Sequence, residues 1–226
     1  TILTEASLSG DLPSASWVGG VVYQSDEYDS DTFPIHDYKY ESPAAFAHFD
    51  QDFGERLTGA LSVRWDDHSE YGGELSPRMA LLFREGAWTI RGSWGSGFFA
   101  STPFLEETEA AGLSRLEPLA NLKAETAETT SFDVSYSAGN LETGLTFFGS
   151  NIDDAVRLET LTTDRVQMVN VNGVTRTRGI EALMRWRLDD LVVTSSYLYT
   201  DASEPNENDV GRRTVPLTPR HSAGLV

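Results

Sequence analysis

Hydrophobic residues in this chain recur at every second position. Trp88, Ile90, Gly92 and Trp94 fall on one face of an extended strand, and Thr89, Arg91, Ser93 and Gly95 on the other. A period of two is that of a β-strand with one apolar and one polar face. Leu57, Gly59, Leu61, Val63 and Trp65 oppose Thr58, Ala60, Ser62, Arg64 and Asp66. The alternation returns at 78–84, 131–136, 180–187 and 220–225, with Leu82 and Leu183 as the apolar exceptions on polar rows. Residues 17–24, 44–53, 141–155 and 191–200 have strand-type composition with less regular alternation, and 1–8 form a weaker candidate. The pattern predicts about eleven strands. Many approach the ~9–11 residues that cross a bilayer when tilted.

The connections sort by length. Residues 54–56, 85–87, 139–140 and 189–190 read as tight turns, whereas 25–43, 67–76, 98–126, 159–173 and 201–218 read as long linkers. Tight turns at one end of successive antiparallel strands and long loops at the other describe an up-and-down barrel in an outer membrane. A soluble sandwich mixes connection lengths at both ends.

Charge sharpens this picture. The formal net charge is −18, and the five long linkers hold 20 of the 35 acidic residues but only six of the 17 basic ones. The crossing segments are therefore close to neutral, and their arginines lie on the polar rows. An arginine facing lipid at mid-bilayer would cost roughly 2–4 kcal/mol, so these belong in a wet interior. The acidic balance argues against nucleic acid as a partner. Cysteine is absent, which removes disulfides and thiolate metal sites. No run of ~18 apolar residues offers a membrane helix. The first residues, TILTEASLSG, lack a leader's basic and apolar regions, as expected of a mature chain or an internal segment.

Several stretches match in order the barrel of TonB-dependent outer-membrane receptors, which this chain resembles over roughly 40–226. Pro77-Arg78 with Leu81-Leu82-Phe83 is similar to the family's PR-x-x-L-L-Y/F strand. The run from Gly95 to Pro103 resembles its aromatic strand end. NLKAETAETTSFDVSY (121–136) resembles the N-L-x-P-E strand entry, with Ala124 where proline is usual. FFGSNIDDAV (147–156), VNVNGVTRTRGIEA (169–182) and VPLTPRHSAGLV (215–226) follow in register. The resemblance implies an all-β, antiparallel up-and-down transmembrane β-barrel segment, about half of a 22-stranded barrel, filling 1–226, with the plug domain and the final strands outside it. It implies a Gram-negative outer-membrane location and import of a scarce ligand: a siderophore, haem, cobalamin or a carbohydrate. The implied partners are the TonB complex, reached through an N-terminal part, the small-molecule ligand and outer-membrane lipid. A passive porin or structural barrel, or a soluble all-β carbohydrate-binding module, is the alternative.

Candidate chemistry is sparse. His36, His48, His68 and His221 stand in no zinc-binding spacing. The acidic stretches 26–31 and 206–211 do not meet the twelve-residue calcium-loop pattern and read as solvated loops, as does Asp66-Asp67-His68. The Gly92, Gly95 and Gly97 run lacks the basic residue and helix of a phosphate cradle and suits close packing near a barrel rim. A short helix within 104–116 competes with irregular coil. Trp17, Trp65, Trp88, Trp94 and Trp186, with Tyr197 and Tyr199, read as interfacial girdles rather than sugar platforms. No Ser–His pair, catalytic residue, cofactor or metal site is expected. The candidate ligand contacts are Phe98 and Phe99 at the mouth, with Arg91 and Glu106.

Overall fold

The computed structural model describes residues 1–105, 108, 111–206 and 211–226. Expected helix 104–116 includes residues 106, 107, 109 and 110, and the acidic stretch 206–211 includes 207–210, which lie outside the described residues. Fourteen strands follow one another: β1 (Ile2–Leu12), β2 (Ala15–Tyr28), β3 (Tyr38–Phe53), β4 (Leu57–His68), β5 (Gly72–Glu85), β6 (Trp88–Phe99), β7 (Glu125–Ala138), β8 (Leu141–Asp153), β9 (Val156–Thr162), β10 (Arg165–Asn170), β11 (Thr175–Leu188), β12 (Leu191–Pro205), β13 (Arg212–Thr214) and β14 (His221–Leu225). Strands β1 to β8 pair in chain order, then β8 with β11, β11 with β12, and β12 with both β13 and β14. Every strand pairing is antiparallel. The sheet is open; β1 has no second partner among the described residues.

Three expected linkers turn out differently. In 25–43, β2 runs to Tyr28 and β3 begins at Tyr38. Residues 67–76 are mostly strand: β4 runs to His68 and β5 begins at Gly72, leaving only 69–71 as a turn. The pairing of Asp66 with Glu74 and of His68 with Gly72 continues above the point where apolar alternation stops. Backbone hydrogen bonding extends a strand beyond the lipid even where its side chains are all polar. Residues 159–173 contain most of the separate β9–β10 hairpin instead of coil.

Register assigns the two faces. Trp94, Met79, Leu61, Phe49 and Trp17 lie on one rung, joined by successive cross-strand pairs that continue through Thr130 and Gly149 to Arg178. Trp17 stands two residues above its short turn, whereas Arg178 stands ten residues above its own. The rung climbs across the sheet, as it must when strands tilt and stagger toward barrel closure. Depth is therefore read along each strand from its short turn. On β1–β8, β11 and β12, the first five positions on the Trp94 face include a single charged residue, Glu85 beside its turn. The span is eight residues, ~20 Å at a rise of ~3.3 Å and a tilt of ~40°, close to the ~25 Å apolar band of an outer-membrane barrel.

Side chains on that face are uncovered: Leu61 is 59% exposed, Leu81 57% and Trp88 50%. Val134 shares it and Trp186 is exposed on it, and among the described residues no second sheet packs there. Trp17, Trp88 and Trp186 sit near the short turns, with Trp88 against Tyr136 at 4.9 Å between ring centroids. Tyr23, Trp65 and Tyr199 sit at the upper margin. The opposite face carries Arg64, Asp66, Arg78, Arg91, Asp133 and Arg185. Small residues let large ones lie flat within the wall. A Cβ on Gly179 would collide with the Phe148 ring and stand 2.5 Å from the Tyr199 carbonyl, so only glycine fits beneath that ring.

Candidate functional site

At the long-loop end, three strand ends and two loops bring aromatic residues together on the polar face. Tyr28 and Tyr38 are cross-strand partners, and Tyr40 is two residues down from Tyr38 on the same face. Tyr38 and Tyr40 stack with centroids 4.5 Å apart. Tyr28 meets Phe104 edge-on at 4.5 Å. His68, at the end of β4, lies 5.2 Å from Tyr40 and 5.1 Å from Tyr71. The Tyr71 hydroxyl donates to the Ser101 carbonyl at 2.7 Å and ties the 69–71 turn to the loop after β6.

Below this cluster the polar face carries fixed charges. Arg64 donates through Nε to both Asp66 oxygens at 3.0 and 2.9 Å, and through a terminal nitrogen to Oδ1 at 2.6 Å. Asp66 is buried, and this fork supplies the charge-assisted bonds a buried carboxylate requires. His48 and Asp50 pair at 2.9 Å lower on β3. Gly95 leaves room for the Arg78 stem, which lies 2.8 Å from where a Cβ would stand. Two cavities follow this wall. One, of about 290 Å³, is bordered by Gln24, Asp26, Tyr40, Asp66, His68, Phe98 and Phe99. The next, of about 560 Å³, shares Asp66 and Phe98 and reaches Glu5, Phe46, His48 and Arg78.

Titration at the mouth follows burial. Burial, then the hydrogen bond to Asp26 at 2.9 Å, pushes the Tyr38 hydroxyl up to about 12. Burial raises Tyr40 and Tyr71 and lowers His68. Hydroxyl hydrogen bonds from Thr1 and Tyr38 hold Asp26 below the usual carboxylate range. At neutral pH the site thus presents the protonated phenols of Tyr38, Tyr40 and Tyr71, the neutral His68 imidazole and the ionised Asp26 carboxylate. It can stack flat groups and exchange hydrogen bonds with hydroxyls.

A cap of loop packs beside this mouth. Leu116, Val166 and Met168 are each only 5% exposed and gather Leu113, Leu119, Leu122, Val156 and Leu158 around them. Asn170 clamps the cap, its side chain accepting from the Lys123 amide at 2.9 Å and donating to the Lys123 and Asp154 carbonyls at 3.0 and 2.6 Å. Arg165 pairs with Glu117 at 2.6 Å. His36 is buried and donates from Nε2 to the Leu113 carbonyl at 3.1 Å. Among the described residues no three His, Asp or Glu side chains converge to hold a metal.

Of the residues singled out from sequence, Phe98 and Phe99 border the mouth cavity. Arg91 lies on the same strand and polar face as Phe99, but eight residues nearer the short turn, paired across strands with Asp133 and Leu82. That is ~26 Å along the strand, so the two do not meet. Glu106 lies outside the described residues. Sequence reasoning missed the tyrosines. Their signal was present in YKYE (38–41), two aromatics at strand spacing, but it lay inside what read as a loop.

The chain belongs to the TonB-dependent receptor family: a model of the TonB-dependent receptor-like β-barrel matches residues 2–226. The fold agrees with solved receptors. The siderophore receptor PirA from Pseudomonas aeruginosa superimposes with a TM-score of 0.78 at 17% identity, over 89% of this chain and 42% of that one. A mutant of the ferric enterobactin receptor PfeA from the same organism gives 0.76 at 15%, over 99% and 38%. The FrpB iron transporter from Neisseria meningitidis gives 0.66 at 14%, over 88% and 35%. The chain thus spans about two fifths of the length of these structures. No curated protein sequence matches it significantly.

Proposed function

We propose that this chain is the wall and mouth of an active importer in the outer membrane of a Gram-negative bacterium. It would take up a scarce small molecule (a siderophore, haem, cobalamin or a carbohydrate) with energy from the TonB complex. The remaining strands and a plug domain would complete the barrel. The observation that carries this reading is the coexistence of an uncharged outer band with an aromatic, charge-fixed mouth on the opposite face. A structural barrel needs only the first. The siderophore and iron receptors that share the fold support the ligand class. Phe98 and Phe99 would meet the ligand first, joined by Glu106 as the sequence suggests, and Arg91 would meet it only after descent into the lumen.

The test uses the complete receptor reconstituted in an energised outer membrane. Uptake of labelled ferric chelates, haem, cobalamin and oligosaccharides is measured with and without the energising partner. Accumulation of one ligand that stops when the partner is removed supports the proposal. Accumulation that continues unchanged favours a passive porin and overturns it. Replacing Phe98 and Phe99 together with alanine is expected to weaken binding about tenfold, the equivalent of ~1.4 kcal/mol.

A further inference from the structure

Above the uncharged band the outward positions turn acidic on six of the ten strands: Glu27 on β2, Glu41 on β3, Asp67 on β4, Glu128 on β7, Asp153 on β8 and Asp201 on β12. Strand β11 departs from this. Its outward positions at that level are Arg178 and Arg176, ten and twelve residues above the short turn. Register fixes their direction. Arg178 pairs with Gly149 and Asp201, and Arg176 with Asn151 and Ser203, on the rungs directly above Ile180, Phe147 and Tyr199 of the apolar band. Both arginines are exposed, and neither has an ion-pair or hydrogen-bond partner among the described residues. The nearest cross-strand carboxylate, Asp201, is instead engaged by Arg220 at 3.7 Å. Arg212 adds a further cation, its guanidinium donating to the Ser203 hydroxyl and carbonyl at 3.0 and 2.7 Å, beside Arg176.

A strongly acidic chain that leaves two arginines unpaired on its lipid-facing wall needs a reason at that place. Residues two apart on one strand face stand ~6–7 Å apart, and neighbouring strands ~4.8 Å apart. Guanidinium groups at such spacing suit the oxygens of one phosphate, which they grip as planar forks. Their level is that of the headgroups. Tyr197 and Tyr199 lie immediately below, where amphipathic rings mark the membrane interface. Trp94 on β6, three strands away, shows the same boundary: its indole N–H reaches up to Glu128 on β7 at 2.6 Å. We infer that Arg176 and Arg178, flanked by Arg212, form an outward-facing docking site for the phosphate headgroup of an outer-leaflet membrane lipid. The occupant is a lipid and not a free anion, because the apolar rungs beneath the arginines would hold its acyl chains.

The experiment uses the complete receptor, purified in a neutral detergent and delipidated. Phosphatidic acid, phosphatidylcholine or inorganic phosphate is added, and bound lipid is counted by native mass spectrometry. Phosphatidic acid is expected to remain bound, phosphatidylcholine to bind at least about tenfold more weakly, and inorganic phosphate to leave phosphatidic acid binding unchanged. The R176Q/R178Q double variant should lose the preference, while lumen-facing R185Q keeps it. Folding of each variant is checked by its heat-modifiable electrophoretic mobility. Equal retention of the two lipids by the unmodified receptor overturns the inference without any variant. Displacement of phosphatidic acid by inorganic phosphate, or an unchanged preference in R176Q/R178Q, does so as well.

Discussion

The wall and the cap treat the same residue types in opposite ways. In the wall, Leu61, Leu81 and Met79 stand 50–59% exposed, whereas in the cap Leu116, Val166 and Met168 are 5% exposed. Burial in water-soluble proteins is driven by removing apolar area from water, about 25 cal/mol per Å². The cap obeys that rule, so its surroundings are aqueous. The wall breaks it along an uncharged band on ten strands, so its solvent there is lipid. One chain folded against two solvents shows where the boundary between them runs. That boundary lies where Tyr23, Trp65 and Tyr199 give way to charged residues.

The sharpest way to break this comparison is to cut into the cap. Leu116→Ala is expected to destabilise the cap by roughly 2–5 kcal/mol, the cost of a cavity in a packed cluster. Hydrogen exchange should accelerate in β9 and β10 and stay unchanged in β4 and β5. Acceleration throughout the sheet would show that cap and wall are one cooperative unit. In the wall, the corresponding insult is charge instead of volume. Leu81→Arg, four residues above its turn on the outward face, should cost roughly 2–4 kcal/mol in denaturant titrations of the receptor in vesicles. Ala80→Arg, one residue away and facing the lumen, should cost far less. Equal costs at the two positions would mean that lipid does not contact the face carrying Trp94.

A smaller effect tests whether the wall depends on packing as well as on patterning. Gly179→Ala places a methyl group against the Phe148 ring and the Tyr199 carbonyl. The ring can turn aside but the carbonyl belongs to the ladder, so a loss of roughly 1–3 kcal/mol is expected from overpacking. Phe148→Leu should relieve the part due to the ring. A Gly179→Ala variant with unchanged stability would place the Phe148 ring away from the glycine in the membrane.

Much of the wall was legible because a period of two writes the membrane directly into the sequence. Every outward position from Leu57 to Trp65 can be assigned by counting. The barrel class follows from that pattern and from the sorted turns, and the resemblance to the receptor family adds the ordered motifs. What stayed hidden lies above the lipid, where the constraint ends. The strand from Gly72 through Glu74 carries no apolar row, because it lies above the lipid with water on both of its faces. The Tyr38–Tyr40 pair, His68 and Tyr71 come from three separate segments, and only the folded sheet makes them neighbours. The β9–β10 hairpin was invisible for a similar reason. It packs Val166 and Met168 on Leu116, fifty residues away in sequence, and has no membrane to impose alternation along its length. Phe98 and Phe99 could be placed because the alternating strand leads to them.

The smallest predicted effect belongs to the mouth, where burial and protonation compete at one histidine. The ring of His68 accepts hydrogen bonds at Nδ1 from the backbone amides of Glu70 and Tyr71, at 3.2 and 3.4 Å. Only the unprotonated nitrogen can accept them. Burial lowers the His68 pKa, while the carboxylates of Glu70 and Asp66 oppose that shift without cancelling it. The unfolded state therefore binds a proton more readily than the folded one. The stability supplied by neutral His68 is fully present above its unfolded pKa of ~6.5 and declines as pH falls toward the lower folded value. Protonation removes both acceptor bonds and frees the 69–71 turn, loosening the link from Tyr71 to the loop at Ser101. Protection factors for the Glu70 and Tyr71 amides should accordingly fall between pH 7 and pH 5, while those of β4 below Trp65 hold steady. His68→Phe, which keeps an aromatic ring against Tyr40 and Tyr71 but cannot accept, should show low protection at every pH. A steep pH dependence surviving in that variant would shift the cause to Glu70 or Asp66, and the mouth would then respond to its carboxylates rather than to its histidine.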